Sequence, residues 1–327
     1  MNTILTITGT LVWLVFLVML VGKFIEALKS RQKLSLNNQW VVVTGCDSGI
    51  GLGVLKSLVA ENVSVIAFTF TEEGAAQALK EGAKLAPRLD ITDEVAVKNA
   101  VMQIKEISGG KLWGVAHNAG AVLPGFIEYQ VMDTYRRIMH INFFAVARLT
   151  QALIPMLKPT HGRVVIVSSV DGIVSLPGNA PYDASKFAVE AFADALRVEL
   201  SFWDVKVAVV NPSTMRTPLA LGFFDLHHKA WQLMEKQDPA GLWKEAWTKE
   251  WLDEYVKVNS KNLAGIAQDP IHAINDVVHA VTAKHPRFRY LSGTFAKTLF
   301  YALWKMPEEW SFAVKKGTVT PTPKIVK

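Results

Sequence analysis

The chain has 327 residues, half of them hydrophobic and only 20% charged, with a formal net charge of +6. Its length suits one or two domains, and a single α/β domain with an insertion fits well. The one cysteine, Cys46, excludes an intramolecular disulfide, and without five consecutive basic residues or a nucleic-acid motif the charge reads as a bias toward an anionic membrane surface rather than a nucleic-acid partner.

Ile4 to Val21 is a run of eighteen uncharged residues, just long enough to span hydrocarbon that needs roughly twenty. No charged region precedes it and no small-residue cleavage site follows, which argues against a cleaved signal peptide. Lys23, Lys29, Arg31 and Lys33 follow, so residues 1–34 are expected to form a single-pass anchor and basic flank, with the rest on the cytoplasmic side. The endoplasmic reticulum is the expected membrane and a mitochondrial membrane the alternative. Polar residues 35–39 would link the anchor to a catalytic core, 35–217.

From there short β-branched runs alternate with amphipathic stretches. Strands are expected at Trp40–Val43, Val63–Thr69, Lys84–Leu89, Leu112–His117, Arg163–Ser168, Val205–Asn211 and Phe288–Leu291. Helices are expected at Ile50–Glu61, Glu73–Lys80, Asp93–Ile107, Asp133–Leu157, Tyr182–Phe202 and Ile271–Ala283. Continuous apolar strands joined by such helices predict a doubly wound parallel sheet of the Rossmann kind, of about seven strands.

The first strand runs into Thr44-Gly45-Cys46-Asp47-Ser48-Gly49-Ile50-Gly51 and then a helix. Gly45 would permit the tight turn, while Gly49 and Gly51 would let backbone approach a pyrophosphate at the helix N-terminus. A bare strand–helix turn is the alternative, and the flanking elements argue against it. Tyr182 and Lys186 lie one helical turn apart, with Ser169 thirteen residues upstream. A phenol is a poor base at neutral pH, but a neighbouring ammonium lowers its pKa, and a hydroxyl such as Ser169 could hold an oxygen sharing the proton. That is machinery for proton exchange with an alcohol or carbonyl.

Residues 218–268 interrupt the pattern. Trp243, Trp247 and Trp251 recur every fourth residue, as on one helical stripe. A packed helical subdomain and an apolar lid over a hydrophobic substrate are both consistent with them. Residues 269–327 would complete the core; within them Leu299–Trp304, followed by Trp310, is too short to span a bilayer and fits either interfacial insertion or ordinary packing. His227 and His228 are adjacent, and His272 and His279 seven apart; none forms a metal-ligand pattern, so no metal is expected.

The glycine loop, His117-Asn118-Ala119-Gly120, Asn142, Ser169, Tyr182 and Lys186, in this order over about residues 39 to 218, resemble the short-chain dehydrogenase/reductase family. The resemblance implies a Rossmann-like fold binding NAD(H) or NADP(H), with Asn142, Ser169, Tyr182 and Lys186 as catalytic tetrad. Tyr182 would be the general acid/base; Lys186 would lower its pKa and hold the nicotinamide ribose. Ser169 would orient the substrate oxygen, and Asn142 would support a proton-relaying water. Gly45, Asp47, Ser48, Gly49, Ile50, Gly51, Asp90, Asn118, Ala119, Gly120, Pro212 and Thr217, with Tyr182 and Lys186, would bind the cofactor. His117 stands where the family usually has asparagine, and Ser213 where it has glycine. Phe68-Thr69-Phe70-Thr71 followed by Glu72 and Glu73, without an arginine for a 2′-phosphate, favours NAD, with NADP the alternative. Lys111 to Gly114 and the 187–192 segment resemble the membrane-associated branch of retinol, 17β-hydroxysteroid and D-β-hydroxybutyrate dehydrogenases. The implied substrate is a hydrophobic alcohol or ketone, with 3-hydroxybutyrate as alternative, for which Arg216 and Lys229 would be the candidate cations. Membrane lipid and a second copy of the chain are the implied partners. A non-catalytic dinucleotide-binding scaffold is a reading of another class, against which the complete tetrad argues.

Overall fold

The computed structural model describes residues 32–324 together with 13, 14, 17, 18, 21 and 22. The expected anchor therefore falls largely outside the described residues, though those described there are helical. Among the described residues no helix is long and apolar enough to cross a membrane.

Six strands form one wholly parallel sheet in the order β2-β1-β3-β4-β5-β6. They are β1 (Trp40–Thr44), β2 (Ser64–Phe68), β3 (Gly114–His117), β4 (Arg163–Val167), β5 (Lys206–Pro212) and β6 (Arg289–Ser292). The expected seventh, Lys84–Leu89, makes only isolated bridges to β2, at Leu85 and Arg88. Ala67 N donates to Leu85 O and Leu89 N to Thr69 O, but residue 87 between them is proline and has no N–H to continue the ladder.

Side-chain alternation along the strands feeds two cores. Val41 and Val43 face α1 (Gly49–Ala60), α2 (Glu72–Lys80) and α11 (Ile271–Thr282). Val42 faces α3 (Glu94–Ile107), α5 (Ala145–Leu157) and α6 (Ala180–Ser201). The expected link to the anchor is partly core: Leu36 is buried, and Leu34 N donates to Thr282 O. An apolar side chain beside α11 is stabilised by burial there rather than left in a linker.

The expected helix Asp133–Leu157 is divided. Between α4 (Met132–Met139) and α5 lies a π-helical turn, His140–Phe144, which carries Asn142. Such single-turn bulges re-aim a side chain, and sequence periodicity does not reveal them.

The 218–268 segment folds as α7 (Pro218–Leu221), α8 (Leu226–Gln237), α9 (Trp243–Ala246) and α10 (Lys249–Ile266). The tryptophan stripe does not lie on one helix, because α9 ends at Trp247 and a new helix starts after Thr248, whose hydroxyl caps α10. The three tryptophans still meet, packing with Phe126, Tyr129, Trp231 and Tyr255 into an aromatic core; Trp247 stacks on Phe126 at 4.4 Å between centroids. Beyond β6 come a π-helical turn (Ala296–Phe300), α12 (Tyr301–Lys305) and α13 (Glu308–Lys316).

Candidate active site

Strand order reverses between β1 and β3, so the crevice at their carboxyl ends is the natural ligand position in an open α/β sheet. The glycine loop leaves β1 there, and Asn118-Ala119-Gly120 leaves β3. Gly45 (φ +72°) and Gly49 (φ +57°) both need the left-handed conformation glycine permits. A Cβ on Gly51 would come within 2.1 Å of the Gly45 carbonyl oxygen, so that glycine serves loop packing first. Asn118 Nδ2 donates to the carbonyls of Thr44 and Gly45, each at 3.1 Å, and Thr44 Oγ1 accepts from the amides of Asn118 and Ala119. Thr44, absent from the sequence-derived set, is the hinge of this latch. Helix α1 starts at this loop with Ser48 as a cap residue whose side chain makes no capping bond. Its N-terminal amides keep no side-chain partner, and together with the bare backbone of the loop they fit a dinucleotide pyrophosphate.

Asp47 is placed differently from the expectation. Its carboxylate accepts from Phe70 N, Thr71 N and Thr71 Oγ1 at 2.8 to 3.1 Å, bracing the loop after β2. That loop also receives Arg88, whose guanidinium reaches Phe70 O and Glu72 at 3.4 and 3.3 Å. Sequence spacing placed no arginine here; the fold brings one from eighteen residues downstream. Asp90 closes a local turn on Thr92.

Asn142 Oδ1 accepts from Ala121 N at 2.8 Å, and its Nδ2 donates to Ala121 O and to Ser185 Oγ, each at 2.9 Å. Ser185 in turn donates to Tyr182 O, so an unpredicted serine ties the π-turn to α6. A Cβ on Gly120 would lie 3.3 Å from Asn142 Oδ1 and 3.8 Å from Lys186 Nζ, which shows how closely the three converge. Lys186 is buried and donates to the Val167 carbonyl at 3.0 Å, while its Nζ lies 5.3 Å from the Tyr182 ring centroid. Ser169, at the end of β4, accepts from Asp171 N at 3.1 Å. The Ser169 carbonyl accepts from Asn211 Nδ2, which also donates to Glu190, itself paired with Arg289.

Electrostatics at the tyrosine run opposite to the expectation drawn from the Tyr–Lys spacing. Burial pushes the Tyr182 phenol up, as do the Asp171 and Asp183 carboxyls, against a hydrogen bond with Ser169. Burial also pushes Lys186 down, to about 8, although Glu190 and Asp171 act against it.

Both departures from the family pattern are accommodated. His117 is buried, bonds Thr150 Oγ1 at 2.9 Å, and is held neutral by burial. Ser213 is not among the residues with positive φ, and its hydroxyl joins Gln268 and Ser292 at the end of β5 beside Pro212. Thr217 lies 3.2 Å from the Cβ position of Gly49, tying this loop to the first glycine turn.

A cavity of about 540 Å³ joins these parts. It is lined by Ile50, Asn118 and Gly120 at one end, by Ser169, Tyr182 and Lys186 in the middle, and by Phe224, Tyr255, Leu263, Leu299, Phe300 and Leu303 beyond. Leu299 and Leu303 thus face the cavity, one outcome the sequence did not foresee. Arg216 and Lys229 do not line it.

A glycine cradle, a bridged Asn118 latch and a Ser–Tyr–Lys group at the carboxyl end of the sheet coincide with a match of residues 39–225 to the short chain dehydrogenase family. The chain belongs to the short-chain dehydrogenase family. It is similar to retinol dehydrogenase 7 of Mus musculus, 34% identical over 302 residues, which cover 90% of this chain and 94% of that one. It is also similar to 17-beta-hydroxysteroid dehydrogenase type 6 of Bos taurus, 32% identical over 305 residues, with the same coverages. A short-chain dehydrogenase structure from Streptomyces avermitilis superposes with a TM-score of 0.66 at 24% identity, covering 86% of this chain and 99% of that chain; it speaks for the fold alone. This short-chain dehydrogenase is an NAD(P)-dependent oxidoreductase, as the sequence motifs implied.

Proposed function

We propose that the chain is a membrane-associated dehydrogenase or ketone reductase for a hydrophobic alcohol of the retinoid or hydroxysteroid type, with Tyr182 as proton donor and acceptor. The observation that carries this reading is the continuous apolar cavity running from the glycine loop past Tyr182 to Leu299 and Phe300. Helices α7 and α10 of the 218–268 segment line one side of it and would act as a substrate lid. The relatives named for retinol and for a 17-beta-hydroxysteroid support the same class.

The nicotinamide cofactor supplies or takes the hydride. Gly45, Ser48 to Gly51, Asn118 to Gly120, Pro212 and Thr217 would hold it, with Lys186 beside the nicotinamide ribose. NAD is proposed as the preferred form, since Arg88 is already paired with Glu72. Tyr182 exchanges the proton with the substrate oxygen. A phenol pushed up by burial is protonated at neutral pH, so the free chain is prepared to donate a proton to a carbonyl. Ser169 orients that oxygen, and Asn142 keeps the Ala121 loop and α6 in register around it.

Phe144 and Phe187, 50% and 42% exposed near Asn142 and Tyr182, support a homo-oligomer built on those helices. The N-terminal apolar run, with exposed Tyr301, Trp310 and Phe312 near the other end, supports anchoring in the endoplasmic reticulum membrane. The test is a panel of retinol, a 3α- and a 17β-hydroxysteroid and 3-hydroxybutyrate, each with NAD and NADP in lipid. Turnover of the hydroxy acid alone would overturn the hydrophobic-alcohol reading.

A further inference from the structure

Two carboxyls, the half-buried Asp171 and the buried Asp183, flank the tyrosine, and the tetrad chemistry uses neither. Asp171 sits in the short turn Val170–Gly172 directly after Ser169, and its side chain lines the cavity. Its amide donates to Ser169 Oγ at 3.1 Å, and Asn179 Nδ2 lies 3.5 Å from Oδ2. Asp183 follows Tyr182 on α6 but turns away. Its Oδ2 accepts from Leu176 N at 2.9 Å, its Oδ1 is buried without a partner, and the residue is 2% exposed.

The polar and titratable groups around Asp171 come from three parts of the chain. On α6 stand Tyr182, Asp183 and Lys186; Lys315 of α13 lines the same cavity, and Ser169 precedes Asp171 at the end of β4. Lys186 donates to the Val167 carbonyl and also acts on Asp171, and Lys315 acts on Asp183. Asp183 is almost wholly buried with one oxygen unpartnered, whereas Asp171 is half-buried and opens on the cavity, so the negative charge of the pair is better solvated on Asp171. A substrate's reacting end, placed between Ser169 and Tyr182, meets that carboxylate in a site where water screens poorly.

We infer that Asp171 selects substrates by charge, excluding alcohols that carry an anionic group near the reacting carbon and leaving the cavity to neutral ones. The inference rests on the dehydrogenase reading above and sharpens its substrate class: it excludes small hydroxy acids by repulsion rather than by a poor fit.

The test uses two ligands that differ only at the polar end, all-trans-retinol and all-trans-retinoate. Their affinities for the full chain in lipid are read from quenching of tryptophan fluorescence, which needs no turnover. The wild type should favour retinol by at least ~10-fold. In Asp171→Asn that ratio should fall about tenfold, Asp171→Ala should repeat the fall, and Asp171→Glu, which keeps the charge, should retain the preference. A ratio unchanged in both neutral variants, or a wild type that prefers retinoate, overturns the inference. Charge selection fails by itself if the ratio stays flat while retinol is still oxidised. The redox reading fails by itself if the ratio shifts but no alcohol is ever turned over.

Discussion

Lys186 on α6 donates its ammonium to the Val167 carbonyl at 3.0 Å, two residues before Ser169. That one bond ties the helix bearing Tyr182 to the strand end bearing the serine, so the two hydroxyls share one frame. Loss of the ammonium would loosen both at once. Lys186→Ala is expected to weaken cofactor affinity and lower the rate together. Because Lys186 titrates near 8, its charge and the activity that depends on it should decline as pH rises through that value. A pH–rate profile identical to wild type in the variant would remove Lys186 from the chemistry.

Tyr182→Phe removes one oxygen from a half-buried ring and nothing else. Turnover should drop by at least ~10²-fold while the cofactor still binds, since general acid–base groups contribute on that scale. Steady-state rates and a nicotinamide fluorescence titration check the two halves. A fully active variant would mean another group donates the proton.

The glycine loop offers a steric contrast. Gly51→Ala forces a Cβ to within 2.1 Å of Gly45 O and 2.5 Å of Asn118 Nδ2, so the cofactor latch must open. Dinucleotide affinity should fall by ~10-fold or more. Gly265→Ala in α10 meets nothing within 4 Å and should raise stability slightly, by about 0.5–1 kcal/mol. Equal dinucleotide affinity in the two variants would contradict the crowding at Gly51.

Glu190, 7% exposed, joins Asn211 and Arg289 beneath the Ser169 carbonyl. Glu190→Ala removes the acceptor shared by the partly exposed Arg289 and the buried Asn211, leaving each with one fewer bond, and should destabilise the fold by about 1–3 kcal/mol. Urea melts of this variant and of Glu190→Gln, which keeps one acceptor, measure it. Identical midpoints for both variants and wild type would mean the network adds nothing.

Acid should unfold the protein partly through His117. Its pKa falls from 6.5 to about 3 on burial, so between those values the unfolded chain binds the extra proton. The stability from neutral His117 is complete above pH 6.5 and is lost as pH falls toward 3, at up to about 1.4 kcal/mol per pH unit. His117→Asn should flatten the decline of melting temperature between pH 6.5 and 4. An unchanged slope would place the acid sensitivity elsewhere.

Local pattern carried much of this molecule. Apolar runs of β-branched residues with glycine between strand and helix already specify the parallel sheet and the first turn, because strand burial and left-handed turns leave direct marks on residue choice. Tyr182, Lys186 and Ser169 stood out by spacing and side-chain chemistry, whereas Asn118 and Asn142 were picked out only by resemblance to the family's motifs. Other features depend on contacts between distant segments. Pro87 interrupts a seventh strand by withholding a single N–H, Arg88 reaches the loop after β2, and Asp47 braces that loop. The tryptophan repeat spans a break between two helices yet converges on Phe126, which periodicity along one helix does not describe.

The family, the cofactor loop and the side chains proposed to react thus belong to the linear chain, since each is written in residues close together or at a set spacing. The charge state around Tyr182, the cavity closed by Leu299 and Phe300, and the carboxylate at Asp171 belong to the folded molecule. Burial and long-range juxtaposition set both local dielectric and cavity shape, and neither exists until the helices have packed.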